Sequence, residues 1–469
     1  MLFVDLRFFL FFAVVLGVYW TLRSNDSRKW FLLASSYFFY GSWDWRFVLM
    51  LAALSYGDYL FARRISTSEN PKVRRRYVAA SIAMNLSVLA YFKYCNFFIA
   101  SASQLARSAG VSLDEPTLHI ILPVGVSFFT FQSLSYTIDV YRGDIAPVRR
   151  ARDYLLFAAF FPQLVAGPIV RPKIFLPQLD SARTVGAAAV KSALLLFVIG
   201  FLKKAAIADN ISPYVDAVFQ SPSMYSNVAT ITAVWLYTVQ IYCDFSGYSD
   251  MAIAVAGLMG YQLALNFAAP YLATSLQSFW RKWHISLSTW IRDYIYLSLG
   301  GRHSNRFVTY RNLVVTMLAG GLWHGAAWTF VVWGGLHGAG QVVQQEFQRT
   351  ALSRKFPAGW VRDVLTWFLT IQFVCLCWIL FRAPSFSSAM LVLQGYFLLH
   401  GGGPMSLAIG LTVLPIALLA MQFILVRMQL VQRVEGLSTP TFAFFMGIAV
   451  AFAISLLPLG NRPFIYFQF

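Results

Sequence analysis

Apolar residues run through this chain in stretches long enough to cross a bilayer, and short segments rich in Arg and Lys separate them. A helical span needs about 20 mostly apolar residues. On that measure the sequence predicts spans at Leu6–Leu22, Trp30–Ser42, Phe47–Ala62, Tyr77–Ala100, Leu118–Val140, Ala187–Ala208 and Val228–Gly260. Four more follow at Asn312–Val343, Val364–Phe381, Leu407–Val426 and Phe442–Leu459. Trp30–Ser42 is short for a span. Val228–Gly260 and Asn312–Val343 are too long for one, and each holds glycines near its middle, so a bent or re-entrant path is expected there. FFPQLVAGPIVRP (Phe160–Pro172) holds three prolines and cannot be one uninterrupted helix. From Ser275 to Ser298 the apolar residues recur at helical spacing among Arg, Lys and Trp, as in a helix lying at the membrane interface. The predicted architecture is an all-α integral membrane protein of about 11 transmembrane helices with re-entrant and interfacial helices. No repeat or separate soluble domain interrupts it, so residues 1–469 read as a single polytopic membrane domain.

Composition agrees. Of the 469 residues 58% are hydrophobic and 12% charged, about half the charged share of a soluble domain. Too few polar side chains exist to cover a water-exposed surface, so lipid must cover much of it. The net charge of +18 sits in short loops between apolar spans. That is positive-inside topology and a surface for anionic lipid, not a nucleic-acid face. The segment from Arg63 to Arg76 holds six bases against Glu69 alone and reads as cytoplasmic. Counting back three spans places the N-terminus in the periplasm, with Phe8–Thr21 inside a retained first span. The four cysteines lie in apolar stretches without metal or disulfide spacing and read as small buried hydrophobes.

Against this background a few polar residues stand out. His324, in GGLWHGAAW, lies in an apolar run whose other ionisable residue is His337. A titratable group inside a membrane is a functional candidate because it is expensive there. A buried neutral imidazole suits a general base that takes a proton from an attacking hydroxyl; the alternative is a histidine bridging two helices. His337 reads as packing or as a supporting hydrogen bond. His284, in SFWRKWHISLS, has Arg281 and Lys282 beside it, which either hold the phosphates of a charged acyl carrier or snorkel from an interfacial helix. His119, His303 and His400 carry no assigned role, and no histidine pair has the spacing of a metal site on one helix. Asp244 and Asp250, in YCDFSGYSDMA, are intramembrane acids that either pair with Lys203 and Lys204 or serve an ion-coupled transporter.

Five segments in order, FFPQLVAGPIVRP, GFLKKAAIADN, QIYCDFSGYSDMAIA, SLQSFWRKWHISLSTWIRDYIYLSLGG and GGLWHGAAWTFVVWGGLHG, resemble the membrane-bound O-acyltransferase family. The likeness is to the bacterial branch of alginate O-acetylation proteins and teichoic acid D-alanyl transferases, and it spans roughly 136–340, an implied catalytic core. The resemblance implies helices around a central funnel or channel, a catalytic histidine matching His324 and a second matching His284; Arg281, Lys282 and Trp283, beside the second, are the candidate donor site. It implies acetyl-CoA as a donor substrate from the cytoplasm, with no permanently bound cofactor and no metal. It further implies a periplasmic acetyltransferase or SGNH-type partner, an exported polysaccharide as acceptor, and an inner-membrane location. Some relatives pair the family histidine with an Asn or Asp, for which Asn312 and Asp293 are the candidates. A D-alanine-type donor on a carrier protein, an ion-coupled transporter and a non-catalytic scaffold of an export complex are the competing readings.

Overall fold

The computed structural model describes residues 1–111, 118–165, 167–350, 359–399, 401–457 and 464–465. Ala166, inside the proline-rich segment, and His400 lie outside the described residues. The described chain is helical, without a named strand. Four of its helices are long and apolar enough to cross a membrane: Pro71–Ser108 with a π-helical turn inside it, Asn227–Leu258, Trp360–Arg382 and Ile409–Arg427. Leu6–Thr21 and Thr439–Ser455 are shorter and apolar.

The residues form two compact units, one of Met1–Leu194 with Met251–Ala264, the other of Leu195–Asp250 with Leu265–Phe469. In the first, helices Trp45–Thr67, Pro71–Leu89 and Val126–Arg142 close around a buried polar network. Ser81 Oγ donates to Asp58 Oδ1 at 2.6 Å, and Asn85 Nδ2 reaches both Asp58 oxygens at 3.0 Å. Such bonds join helices where lipid gives no hydrophobic drive to association. The stretch predicted to span from Leu118 becomes helical only at Val126. Gly125 stands before that helix with φ +75°, and a Cβ there would lie 2.3 Å from the Leu164 carbonyl oxygen, so neither another conformation nor a side chain fits. The proline-rich segment is divided as expected, into helices Phe161–Leu164 and Pro172–Phe175.

In the second unit two expectations change. The stretch 228–260 is not broken or re-entrant: Asn227–Leu258 is one continuous helix of 32 residues. Gly247 is there for close packing, since a Cβ would meet Gly200 O at 2.6 Å and Lys204 N at 3.0 Å. The stretch 312–343 is broken, into helices Arg306–His324 and Trp328–Arg349, with extended backbone at Gly325 and Ala327. Cys243, Cys375 and Cys377 are buried and Cys95 half-buried, all as free thiols. Helix Ile409–Arg427 is nearly all exposed, with 6% of its apolar window buried, and so offers its sides to lipid.

Candidate active site

The interfacial stretch does not form the single helix its spacing predicts. Ser275 caps helix Leu276–Lys282 by accepting from Ser278 N at 3.0 Å, and two residues separate it from a second helix, Ile285–Ile291. His284 stands between them with φ +43° and ψ +55°. A left-handed non-glycine residue costs about 1–3 kcal/mol and needs surroundings that impose it. Here the backbone of 266–268 imposes it: Ala268 N donates to Lys282 O at 3.0 Å and Ile285 N to Asn266 O at 2.9 Å. Trp283 anchors the bend, fully buried among Trp378, Phe267, Phe279 and Tyr271 at ring distances of 5.0–5.8 Å.

The His284 ring is fully buried, with Nδ1 3.1 Å from Asn266 Oδ1. That oxygen also accepts from Ser286 N at 3.2 Å and Ser286 Oγ at 2.9 Å, while Asn266 Nδ2 donates to Ser249 Oγ at 3.0 Å. The two Ser286 donors fix Oδ1 as the acceptor, so His284 Nδ1, facing it, carries the proton and Nε2 the lone pair. Asn266 is the histidine partner that sequence reasoning missed. It closes an apolar run in QLALNFAAP, and nothing in that spacing points to a residue 18 positions on.

His324 is the last residue of helix Arg306–His324 and is 2% exposed. Its ring meets Trp323 and Trp333 at 5.0 Å, Phe381 at 5.3 Å and His284 at 6.4 Å between centroids. Two histidines 40 residues apart thus lie side by side in one buried aromatic cluster. Glycines allow it: a Cβ on Gly321 would sit 2.3 Å from Phe330 O, and one on Gly334 2.4 Å from Met317 O, so the two helices touch backbone to backbone.

Residues 150–382 match the membrane-bound O-acyltransferase family. The chain is 40% identical to the probable alginate O-acetylase AlgI of Pseudomonas aeruginosa over 83% of its own length and 73% of that protein's. It is 35% identical to the protein of the same name from Azotobacter vinelandii over 98% of both. It is also 35% identical to the peptidoglycan O-acetyltransferase of Helicobacter pylori, over 80% and 74%. The chain belongs to the membrane-bound O-acyltransferase family. It is a multi-pass membrane protein and an acyltransferase, and the matched region holds both pocket histidines.

The structure gives the other candidates of this acyltransferase partners of their own. Arg281 is exposed and Lys282 half-buried at the end of their helix, whereas Trp283 points into the aromatic core. Asn312 does not partner a histidine. Its Nδ2 donates to Leu299 O and Gly301 O, both at 3.0 Å, and its Oδ1 accepts from Arg311. Asp293 pairs with Arg292 at 2.7 Å near the surface. The intramembrane acids pair with the two lysines: Lys203 Nζ lies 2.7 Å from Asp250, and Lys204 Nζ 2.6 Å from Asp244 and 2.7 Å from Asp209. The lysines belong to a π-helical segment, Leu202–Ala208. Among the described residues no group of three His, Cys, Asp or Glu comes together as a metal site requires.

Proposed function

We propose that this acyltransferase moves an acetyl group from acetyl-CoA, supplied at the cytoplasmic face of the bacterial inner membrane, to the O-acetylation of an exported polysaccharide outside it. The single observation that carries the reading is the buried pair His284 and His324, with His284 oriented by Asn266. The two Probable alginate O-acetylase AlgI relatives and the peptidoglycan O-acetyltransferase support acetyl as the group and a cell-envelope glycan as the destination.

In this reading His324 takes the proton of the acceptor hydroxyl as its oxygen attacks the thioester carbonyl. The C–S bond then breaks, and the proton passes to the leaving thiolate. His284, neutral with its lone pair on Nε2, accepts a hydrogen bond in the same pocket. Arg281 and Lys282 lie at the donor's approach, with Trp283 buried behind them. The acceptor is the glycan or a hydroxyl of a periplasmic acetyltransferase or SGNH-type partner. The membrane domain has about 11 spans around a central channel, a periplasmic N-terminus and its catalytic core in 136–340. This division of labour suits the chemistry: acetyl-CoA is too charged to cross lipid, so the acyl group alone must pass.

The test is transfer from radiolabelled acetyl-CoA by the full-length protein in proteoliposomes with its partner, in wild type and His324→Ala. Turnover in wild type that is lost in a folded, inserted variant supports the reading. Equal turnover in both overturns it.

A further inference from the structure

Asp58 is a fully buried acid without a base. It lies in the apolar stretch 47–62 and pairs with no Lys, Arg or His among the described residues. Asp209, Asp244 and Asp250, by contrast, each stand within 2.7 Å of a lysine. The partners of Asp58 are neutral. Besides the bonds from Ser81 and Asn85, its carboxylate accepts one from Ser133, whose Oγ in turn accepts from Tyr154 at 3.3 Å. Ser81 Oγ also stands 3.0 Å from Thr137 Oγ1. The titratable side chains near the carboxylate, Tyr136 and Tyr154, are uncharged at neutral pH and do not balance it.

Some of the oxygens around this acid are unused. Ser55 lies one turn before Asp58 on helix Trp45–Thr67, and Thr130 one turn before Ser133 on helix Val126–Arg142, so each shares a face with its polar neighbour. Ser55 Oγ, Thr130 Oγ1 and Asn85 Oδ1 have no hydrogen-bond partner among the described residues, and these three residues are at most 1% exposed. A buried carboxylate without a positive partner is strongly unfavourable, and each unmatched oxygen adds to that. A hard cation takes oxygen ligands and answers both needs at once. One carboxylate balances one positive charge, so a monovalent ion leaves the site neutral. A divalent ion would leave a net charge in low-dielectric surroundings.

We propose that Asp58 is the anionic ligand of a monovalent metal-cation site. Ser55, Asn85 and Thr130 supply neutral oxygens, and the bound ion ties together helices Trp45–Thr67, Pro71–Leu89 and Val126–Arg142. Sodium and potassium share this ligand chemistry. None of these residues belongs to the transfer chemistry, so the site stands or falls independently of the acetyl-transfer reading.

The experiment measures binding of radiolabelled sodium to the full-length protein in detergent, with potassium as competitor. Thermal unfolding is followed alongside in sodium, potassium or choline chloride at one ionic strength. Wild type is expected to bind saturably and to melt higher in the bound cation than in choline. Asp58→Asn should lose both responses. Ser55→Ala removes one oxygen and leaves the bonds to Asp58 in place; it should weaken the cation by about tenfold, and it keeps the test decisive if Asp58→Asn does not fold. Displacement of sodium by less potassium, with the same loss in the variants, supports the site with potassium as its ion. Equal cation affinity in wild type and the folded variants overturns the proposal. So does an unfolding temperature that follows pH but neither cation, which would put a proton on Asp58 in place of a metal.

Discussion

Asn266 Oδ1 lies 3.1 Å from His284 Nδ1 and joins two stretches of chain 18 residues apart beside the buried histidine pair. The bond holds one imidazole tautomer, and the same amide ties Ser249 and Ser286 to it. Asn266→Ala removes all of these at once. Transfer is expected to fall by up to about 10²-fold, the cost of a small misplacement of a catalytic group, mainly in kcat. An altered pH profile of kcat would mark the freed tautomer. Unchanged kcat and pH profile would show that Asn266 does not position His284.

His324→Gln keeps volume and hydrogen bonding but cannot act as a base at neutral pH. A loss of about 10²–10⁴-fold is expected from removing general-base catalysis. Melting temperature should stay near wild type, because the ring's neighbours Trp333 and Phe381 remain packed.

Lys204 pairs with two carboxylates in a setting where its side chain is 1% exposed and theirs 4–5%. Lys204→Met leaves Asp209 and Asp244 without their cation and is expected to cost about 3–5 kcal/mol of stability. The triple variant K204M/D209N/D244N should recover much of it. Thermal unfolding in one detergent compares the three proteins, and a triple variant no more stable than the single one would mean the charges are not what the site balances.

Gly334→Ala would drive a methyl to 2.4 Å from Met317 O, while Gly335→Ala meets only Leu318 Cδ2 at 3.4 Å. The first is expected to lose about 1–3 kcal/mol to overpacking and to reduce transfer by moving His324; the second should behave as wild type. Equal effects from both would place the tolerance of this helix pair elsewhere.

Between the first two spans Asp26 accepts from Arg152 at 2.9 Å and Arg150 at 2.6 Å, which hold its carboxyl down at about 2. A depressed acid stabilises the fold fully above its unfolded pKa of about 3.9 and loses that contribution as pH falls through the folded value. The melting difference between wild type and Asp26→Asn should therefore be constant from pH 8 to 5 and shrink below about pH 4. A difference that changes between pH 8 and 5 would point to another group.

Much of this protein is a property of its sequence alone. Lipid solvation depends on local composition, so apolar runs marked most of the helices, including Leu6–Thr21, Trp360–Arg382 and Ile409–Arg427. The expense of an ionisable group in lipid marked His324, and it singled out Asp244 and Asp250, for which pairing with Lys204 and Lys203 was one of the readings left open. Gly247 shows the limit of such reasoning: a glycine inside a long apolar run signals a bend or close packing equally well, and only the approach of Gly200 O and Lys204 N decides for packing. The helical spacing around His284 was real, yet backbone bonds from 266–268 outweighed it and turned one helix into two. Tertiary structure alone decided that His284 lies beside His324 and that Asn266 orients His284. Those relations lie between residues 18 and 40 positions apart, and a buried hydrogen bond leaves no local periodicity by which to find it.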